Sequence, residues 1–218
     1  QNGFGERSVR SDFSVRAGRT EISTPWLNGH DIRMTPHSFE AVTIGYRRGR
    51  WRLDGGAVGA IKTRTSEVYL DPGQILGRAP TGPVWYGGLT VTDGTRFKAQ
   101  LWLYDANDLW RDWYGEIDAA LEANADVRLF ANLRHLRRDD IGRAVAGEQS
   151  TWMSGATLGA TWRGATLSGT LSRVGRQLIQ RPWGHDLSIS EIYEPCNEAE
   201  ERAWLGRLQY DFGRLGIK

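Results

Sequence analysis

Polar and apolar residues alternate along most of the chain, the period of a β-strand with one face turned to an apolar medium. In 9–17, VRSDFSVRA, Val9, Phe13, Val15 and Ala17 share a face with Ser11, while Arg10, Asp12, Ser14 and Arg16 share the other. The next pair is AVTIGY (41–46), a four-residue RRGR turn (47–50) and WRLDGGAVGAI (51–61). Hairpin pairing across that turn predicts Tyr46 opposite Trp51, Ile44 opposite Leu53 and Val42 opposite Gly55, and sends Arg52, Asp54 and Lys62 to the other face. The construction repeats three times. Across 93–95, Val91 is expected opposite Phe97, Leu89 opposite Ala99 and Trp85 opposite Leu103. Across 122–126, Leu121 is expected opposite Val127, Ala119 opposite Leu129 and Ile117 opposite Ala131. Across 163–166, Trp162 is expected opposite Leu167, Ala160 opposite Gly169 and Leu158 opposite Leu171. A last strand at 204–212 sets Trp204, Leu208, Tyr210 and Phe212 against Arg207, Gln209 and Asp211.

This pattern predicts about ten strands of roughly ten residues, the length of a tilted bilayer crossing. The connections at 18–38, 63–84, 138–151 and 174–200 are long and that at 105–110 is intermediate, whereas those at 47–50, 93–95, 122–126 and 163–166 are short. Long and short therefore alternate, as in an up-and-down transmembrane barrel with tight periplasmic turns and long extracellular loops. A soluble sandwich has no reason to keep every second loop short. Aromatic residues fit two interfacial girdles: Tyr46, Trp51, Trp162, Tyr210 and Phe212 lie near the short turns, and Trp85, Trp110, Trp113, Trp152 and Trp204 near the opposite strand ends.

Composition sharpens this picture. The 218 residues include ten Trp, seven Tyr and 27 Gly but two Met, an unusual recipe for a soluble core. No run approaches the roughly 20 apolar residues of a spanning helix. Mean hydropathy is negative, which an alternating strand produces even when half its residues face lipid. Net charge is +2, from 28 basic and 26 acidic residues, too small a field to point to nucleic acid. Cys196 is the one cysteine, so there is no internal disulfide framework. The chain opens without Met, a charged n-region or an apolar h-region, as expected of a mature chain or an excised piece.

Charge placement matters more than the total. The less apolar face collects Arg10, Arg16, Arg52, Lys62, Lys98, Arg128, Arg134 and Arg207 against Asp12, Asp54, Glu116, Asp118 and Asp211. Each Arg or Lys turned to acyl chains at the bilayer midplane would cost about 2–4 kcal/mol. These residues are therefore expected to line water, and a basic majority lowers the energy of an anion or carboxylate-bearing solute there. As single residues they also fit solvated salt bridges. The long segments 18–38 and 174–200 carry Trp26, Leu27, Ile32, Met34, Leu178, Ile179, Trp183, Ile189, Ile192 and Tyr193. That apolar load needs a surface, and the surface open to a loop at a barrel mouth is the inner wall.

The stretch 15–46, VRAGRTEISTPWLNGHDIRMTPHSFEAVTIGY, resembles the OprD-type family of outer-membrane porins. The resemblance rests on Gly18-Arg19, Thr24-Pro25, Asp31-x-Arg33-x-x-Pro36 and Phe39-Glu40 in that order. WYGGLTVTDGTRFKAQLWLYDANDLWRDWYGEID and RPWGHDLSISEIYEPCNEAEERAWLGRLQYDFGRLGI are similar to later hairpins and to a second inward loop. The likeness spans most of the chain, with gaps at 63–83 and 138–151. It implies an all-β, antiparallel up-and-down barrel of eighteen strands, of which 1–218 is one partial domain, an internal fragment ending in a short turn at Lys218. It also implies a bacterial outer-membrane location among phospholipid and lipopolysaccharide, a homotrimer, and passive uptake of small carboxylates or amino acids, with no catalysis, no cofactor, no metal and no nucleic acid. Loops at about 18–38 and 174–200 would fold inward to a constriction involving Arg19, Trp26, Asp31, Arg33, Trp183 and Tyr193. Pro25 and Pro36 stiffen the first of them.

Two other classes compete. A ten-stranded outer-membrane protease would use His30-Asp31 and His185-Asp186 to activate water, but adjacent residues in an extended segment point apart and further acidic partners are needed. A soluble β-barrel binding module would stay monodisperse without detergent, which these alternating faces oppose. No metal-ligand spacing, phosphate loop or nucleophile elbow occurs.

Overall fold

The computed structural model describes residues 11–29, 36–184 and 197–215. Over these, ten strands form one sheet in chain order, each antiparallel to the next. They are β1 (Ser11–Thr20), β2 (Ser38–Arg48), β3 (Trp51–Lys62), β4 (Val84–Thr92), β5 (Phe97–Ala106), β6 (Trp110–Glu122), β7 (Val127–Asp140), β8 (Ser150–Trp162), β9 (Ala165–Val174) and β10 (Arg202–Tyr210). The 63–83 connection carries a one-turn helix, α1 (Pro72–Ile75), capped by the Asp71 carboxylate and led by proline at its first position. The up-and-down meander predicted from alternation is the observed architecture.

The hairpin registers differ from the expected ones by two residues in every case. Tyr46 pairs with Leu53 and Arg48 with Trp51. Val91 pairs with Ala99, Leu121 with Leu129, and Trp162 with Ala165. Turn chemistry is the cause. The first turn has two residues, 49–50, with Gly49 at φ 57°. In the last, Arg163 and Gly164 both take positive φ, 47° and 89°, as a two-residue I′ turn requires. The 93–96 turn is longer because one Asp93 carboxylate oxygen accepts from the N–H groups of Thr95, Arg96 and Phe97 at 2.8–3.0 Å. Those bonds, that of Arg96 foremost, hold the Asp93 carboxyl below its ordinary range. A slip of two leaves parity unchanged, so the faces stand as predicted except beyond the bulge in β3.

One connection breaks the alternation of lengths. The β5–β6 link, expected to be intermediate, is only 107–109, because neighbouring segment 141–149 braces it. Arg143 donates its backbone N–H and its Nε to the two Asp108 carboxylate oxygens at 3.0 and 2.9 Å, and Val145 N–H donates to the Asp108 carbonyl at 2.9 Å. Asp108 itself sits at φ 57°.

The two faces are chemically opposite. One carries exposed Val15, Leu53, Leu101, Leu133, Leu158, Leu171 and Leu208, the last 74% exposed. The other carries Arg16, Arg52, Lys98, Glu116, Asp118, Asn132 and Arg134, and the buried cluster gathers against it under the long loops. Tryptophan divides between them, which corrects the two-girdle reading at Trp110. Trp26, Trp102, Trp110 and Trp183 are buried in that cluster, Trp110 at 1% exposure, whereas Trp51, Trp85, Trp113, Trp162 and Trp204 stand exposed on the apolar side.

Large side chains on the polar face lie over glycines of the adjacent strand. Tyr86 covers Gly56, Trp102 covers Gly88, Arg134 covers Gly155 and Phe130 covers Gly159; in each case an added Cβ would meet the neighbour. Trp102, lying flat across Gly88, donates its indole N–H to Gln100 Oε1 at 2.9 Å. Replacing Gly88 by alanine overpacks this contact and is expected to cost about 1–3 kcal/mol. A fall in the unfolding midpoint together with altered Trp fluorescence is the check.

Candidate functional site

Two loop segments converge on the polar face of β5, β6 and β7. Segment 21–29 folds back on itself: Thr24 N–H and Oγ1 both donate to the Leu27 carbonyl at 2.9 Å, driving Trp26 and Leu27 toward the sheet. Trp26 N–H donates to the Tyr104 hydroxyl at 3.3 Å, and its ring meets Tyr114 edge-on at 6.5 Å. Segment 175–184 is fixed to β8 through Gln177, whose carbonyl accepts from Thr151 Oγ1 at 3.0 Å and whose Oε1 accepts from Ser150 N–H at 2.7 Å. It places Ile179 and Trp183 in the same cluster, while Leu178 stays at the surface. The segments also touch each other. Asn28 N–H donates to the Trp183 carbonyl at 3.4 Å, and a Cβ on Gly184 would overlap the Trp26 carbonyl oxygen. Only glycine admits so close a backbone approach.

At the centre lies a buried ion pair. Arg138 of β7 faces Asp112 of β6 in register. Its Nε and Nη2 reach the two carboxylate oxygens at 2.7 and 2.6 Å, with both side chains almost fully buried. Its Nη1 donates to the Gln180 carbonyl at 2.9 Å, tying segment 175–184 to the wall. The guanidinium lies 4.1 Å from the centre of the Trp110 ring and 6.0 Å from that of Trp26, and Trp110 stacks on Trp183 at 5.4 Å. The planar fork of arginine satisfies both a carboxylate and a carbonyl while its faces remain free for aromatic contact.

His37, buried just before β2, is a second tie. Burial pushes its imidazole below the ordinary value, with the positive charge of Arg64 adding to that, while a hydrogen bond to the Trp183 backbone works the other way. A base whose folded value is lowered contributes stability that is complete above about pH 6.5 and is lost as the pH falls through the lowered value. The unfolding midpoint should therefore hold above about pH 6.5 and drop below it. His37→Gln should flatten that dependence.

The residues singled out in the sequence fall in several places. Arg16, Arg52, Lys98, Arg128, Arg134 and Arg207 share the polar face, each opposite the partner its register dictates. Arg52 forks onto Asp54 at 2.6 and 3.0 Å, Arg128 lies 3.4 Å from Glu122, and Lys98 lies 4.0 Å from Asp118. Glu116 accepts from Asn132 at 2.7 Å and from Gln100, and Arg134 stands opposite it in β7. Lys62 does not join them. Phe39 pairs with Ile61 but Ala41 with Val58, so a bulge beside Gly59 inserts one residue and moves Lys62 to the opposite parity, level with Ser38. Arg19 likewise lies on the apolar parity near the rim, 71% exposed, 3.0 Å from Glu40 and 4.7 Å from the Tyr69 ring centre. It is no part of the loop cluster. Trp26 and Trp183 are at its heart. Arg10, Asp31, Arg33 and Tyr193 lie outside the described residues, as do His30, His185 and Asp186.

Sequence reading passes over Arg47, Asp112 and Arg138. Arg47 continues the polar parity of Thr43 and Gly45, but a four-residue turn absorbs it. Arg138 falls at the start of the connection expected at 138–151, whereas β7 runs on to Asp140. Arg16, Arg47 and Arg52 border a cavity of about 270 Å³ beneath segment 21–24 together with Asp12, Glu21 and Asp54, Asp12 lying directly opposite Arg47. Arg52 is paired there, while Arg16 and Arg47 have no ion-pair partner among the described residues.

A family model for outer membrane porins of the OprD family matches residues 7–217. The chain belongs to that family. In a transmembrane β-barrel the polar face of the sheet is the lumenal one and the apolar face the one turned to lipid, and the family is one of channels, not enzymes, of the bacterial outer membrane. Solved structures with the same fold include OccK9 (OpdG) of Pseudomonas aeruginosa, at 24% identity and a TM-score of 0.84, covering 94% of this chain and 54% of that one. OccK2 (OpdF) of P. aeruginosa in complex with glucuronate matches at 22% and 0.80, covering 94% and 57%. OpdK of P. aeruginosa with vanillate matches at 24% and 0.77, covering 94% and 56%. The chain thus spans little more than half the length of the structures it resembles. No curated protein matches it significantly.

Proposed function

We propose that the whole protein is a passive channel that admits small carboxylate-bearing solutes, with segments 21–29 and 175–184 narrowing the path and Arg16 and Arg47 receiving the carboxylate. The observation that carries this reading is the contrast within the basic row. Arg52, Lys98 and Arg128 are matched by Asp54, Asp118 and Glu122, whereas Arg16 and Arg47 face an open cavity beside segment 21–24 that they share with Asp12 and Glu21, neither arginine within ion-pair distance of an acid among the described residues. An unpaired guanidinium in a low-dielectric passage favours a passing carboxylate, and pairing by a fixed acid removes that advantage. Glucuronate and vanillate, held by two similar proteins, are both carboxylates, which supports the same class here. The test is Arg16→Gln combined with Arg47→Gln in the whole protein, read by reversal potentials and by liposome swelling with a carboxylate against a neutral sugar. Anion preference should fall while neutral uptake holds; unchanged preference would remove both residues from the path.

A further inference from the structure

The outward face is not uniformly apolar. Across β4 to β9 it is indented by a groove of about 670 Å³. Small residues make its floor: Ala99, Gly115 and Ala156, with open space where a Gly115 side chain would stand. Leu101, Leu133 and Leu171 wall it, each more than half exposed. Toward the long-loop rim it ends in polar groups, His135, Ser154 and Arg173. These three occupy one cross-strand row in β7, β8 and β9. His135 Nδ1 bonds Ser154 Oγ at 2.8 Å, its ring stacks on Trp152, and the Arg173 guanidinium lies 5.7 Å from the Trp152 ring centre.

That row continues to Arg202, directly opposite Arg173 in β10. Like charges placed opposite each other are destabilising. Among the described residues neither has an ion-pair partner. Arg173, Arg176, Arg202 and Trp152 border an adjoining cavity of about 440 Å³, whose acidic member is Glu200. An apolar slot that opens into a basic pocket fits an anionic amphiphile, with its chain along the slot and its anion between the arginines. The long-loop rim of an outer-membrane barrel faces the cell exterior, so the amphiphile comes from the outer leaflet. We propose that this face binds one phosphorylated acyl glycolipid of that leaflet, its phosphate on Arg173 and Arg202 and one acyl chain over Gly115. The assignment rests on the porin reading for which face meets lipid, and not on which solute the lumen passes.

The experiment uses the whole protein, stripped of lipid in detergent and offered lipid A bearing phosphates, dephosphorylated lipid A, or inorganic phosphate. Native mass spectrometry and the unfolding midpoint are the readouts, with single-channel conductance recorded beside them. Phosphorylated lipid A should be retained and raise the midpoint. Arg173→Gln should weaken retention by about tenfold, the loss of a charge-assisted contact. Gly115→Leu, whose side chain enters open space, should block retention without loss of fold. Neither should alter conductance. Equal retention of dephosphorylated lipid A overturns the phosphate contact. Equal stabilisation by inorganic phosphate overturns the lipid assignment in favour of a soluble anion. A change of oligomeric mass in Gly115→Leu overturns it in favour of a second copy of the chain. A wild-type protein that holds the lipid yet passes no ions would sink the channel reading alone.

Discussion

Replacing Arg138 by methionine is expected to destabilise the protein by about 3–5 kcal/mol, because Asp112 is left charged and buried without its partner. Both side chains are almost fully enclosed, and both carboxylate oxygens depend on Arg138. The same change releases the Gln180 carbonyl and the guanidinium face that lies on Trp110, so segment 175–184 loses its tie to the wall. Two effects follow, and they separate. Adding Asp112→Leu removes the stranded charge and should restore most of the unfolding midpoint, since replacing a whole buried pair by apolar groups is often neutral or stabilising. It does nothing for the Gln180 carbonyl. Single-channel recordings should therefore stay noisy and show raised conductance in the double variant as in the single one. Full recovery of quiet conductance in the double variant would mean that the pair braces the strands and leaves the loop unaffected.

The faces of the sheet are legible in the sequence because side-chain direction has a period of two, and every strand repeats it often enough to fix its parity. Register is not legible to the same degree. Whether Tyr46 meets Trp51 or Leu53 depends on the residues that form the turn, and Gly49 and Arg163-Gly164 make two-residue turns where four were expected. A two-residue slip leaves parity untouched, so the error stays within the hairpins. The bulge beside Gly59 is the harmful kind of irregularity, since one inserted residue carries Lys62 across the sheet. Nothing in GAVGAIK marks it except a glycine, and that stretch holds two. For the site, the apolar load of segments 21–29 and 175–184 is readable from composition. What receives them is not. Asp112 and Arg138 lie 26 positions apart and meet through strand pairing, and Trp110, read as a girdle residue, is turned inward by the parity of its strand.

Truncating Trp26 to alanine is the sharpest test of what the loop cluster does. The ring lies between Tyr114 and Arg138 and is almost fully buried, so its loss leaves a large void, worth about 3–5 kcal/mol when the surroundings do not collapse. Beyond Trp26, segment 21–29 is held by Ile22 and Leu27 and by single hydrogen bonds to the Tyr104 hydroxyl, the Trp183 carbonyl and the His37 N–H, so release of the segment is expected in place of a persistent cavity. If the segment narrows the lumen, its release widens the path, and conductance rises while carboxylate preference falls. Gly184→Ala reaches the same end by another route. Its methyl group collides with the Trp26 carbonyl and forces the two segments apart, with every apolar side chain of the cluster kept. The two variants should thus agree in conductance and selectivity, although their costs in stability arise differently. A fall in stability with unchanged conductance in both would mean that the segments brace the inner wall without narrowing the passage, and selectivity would then rest on Arg16 and Arg47 alone.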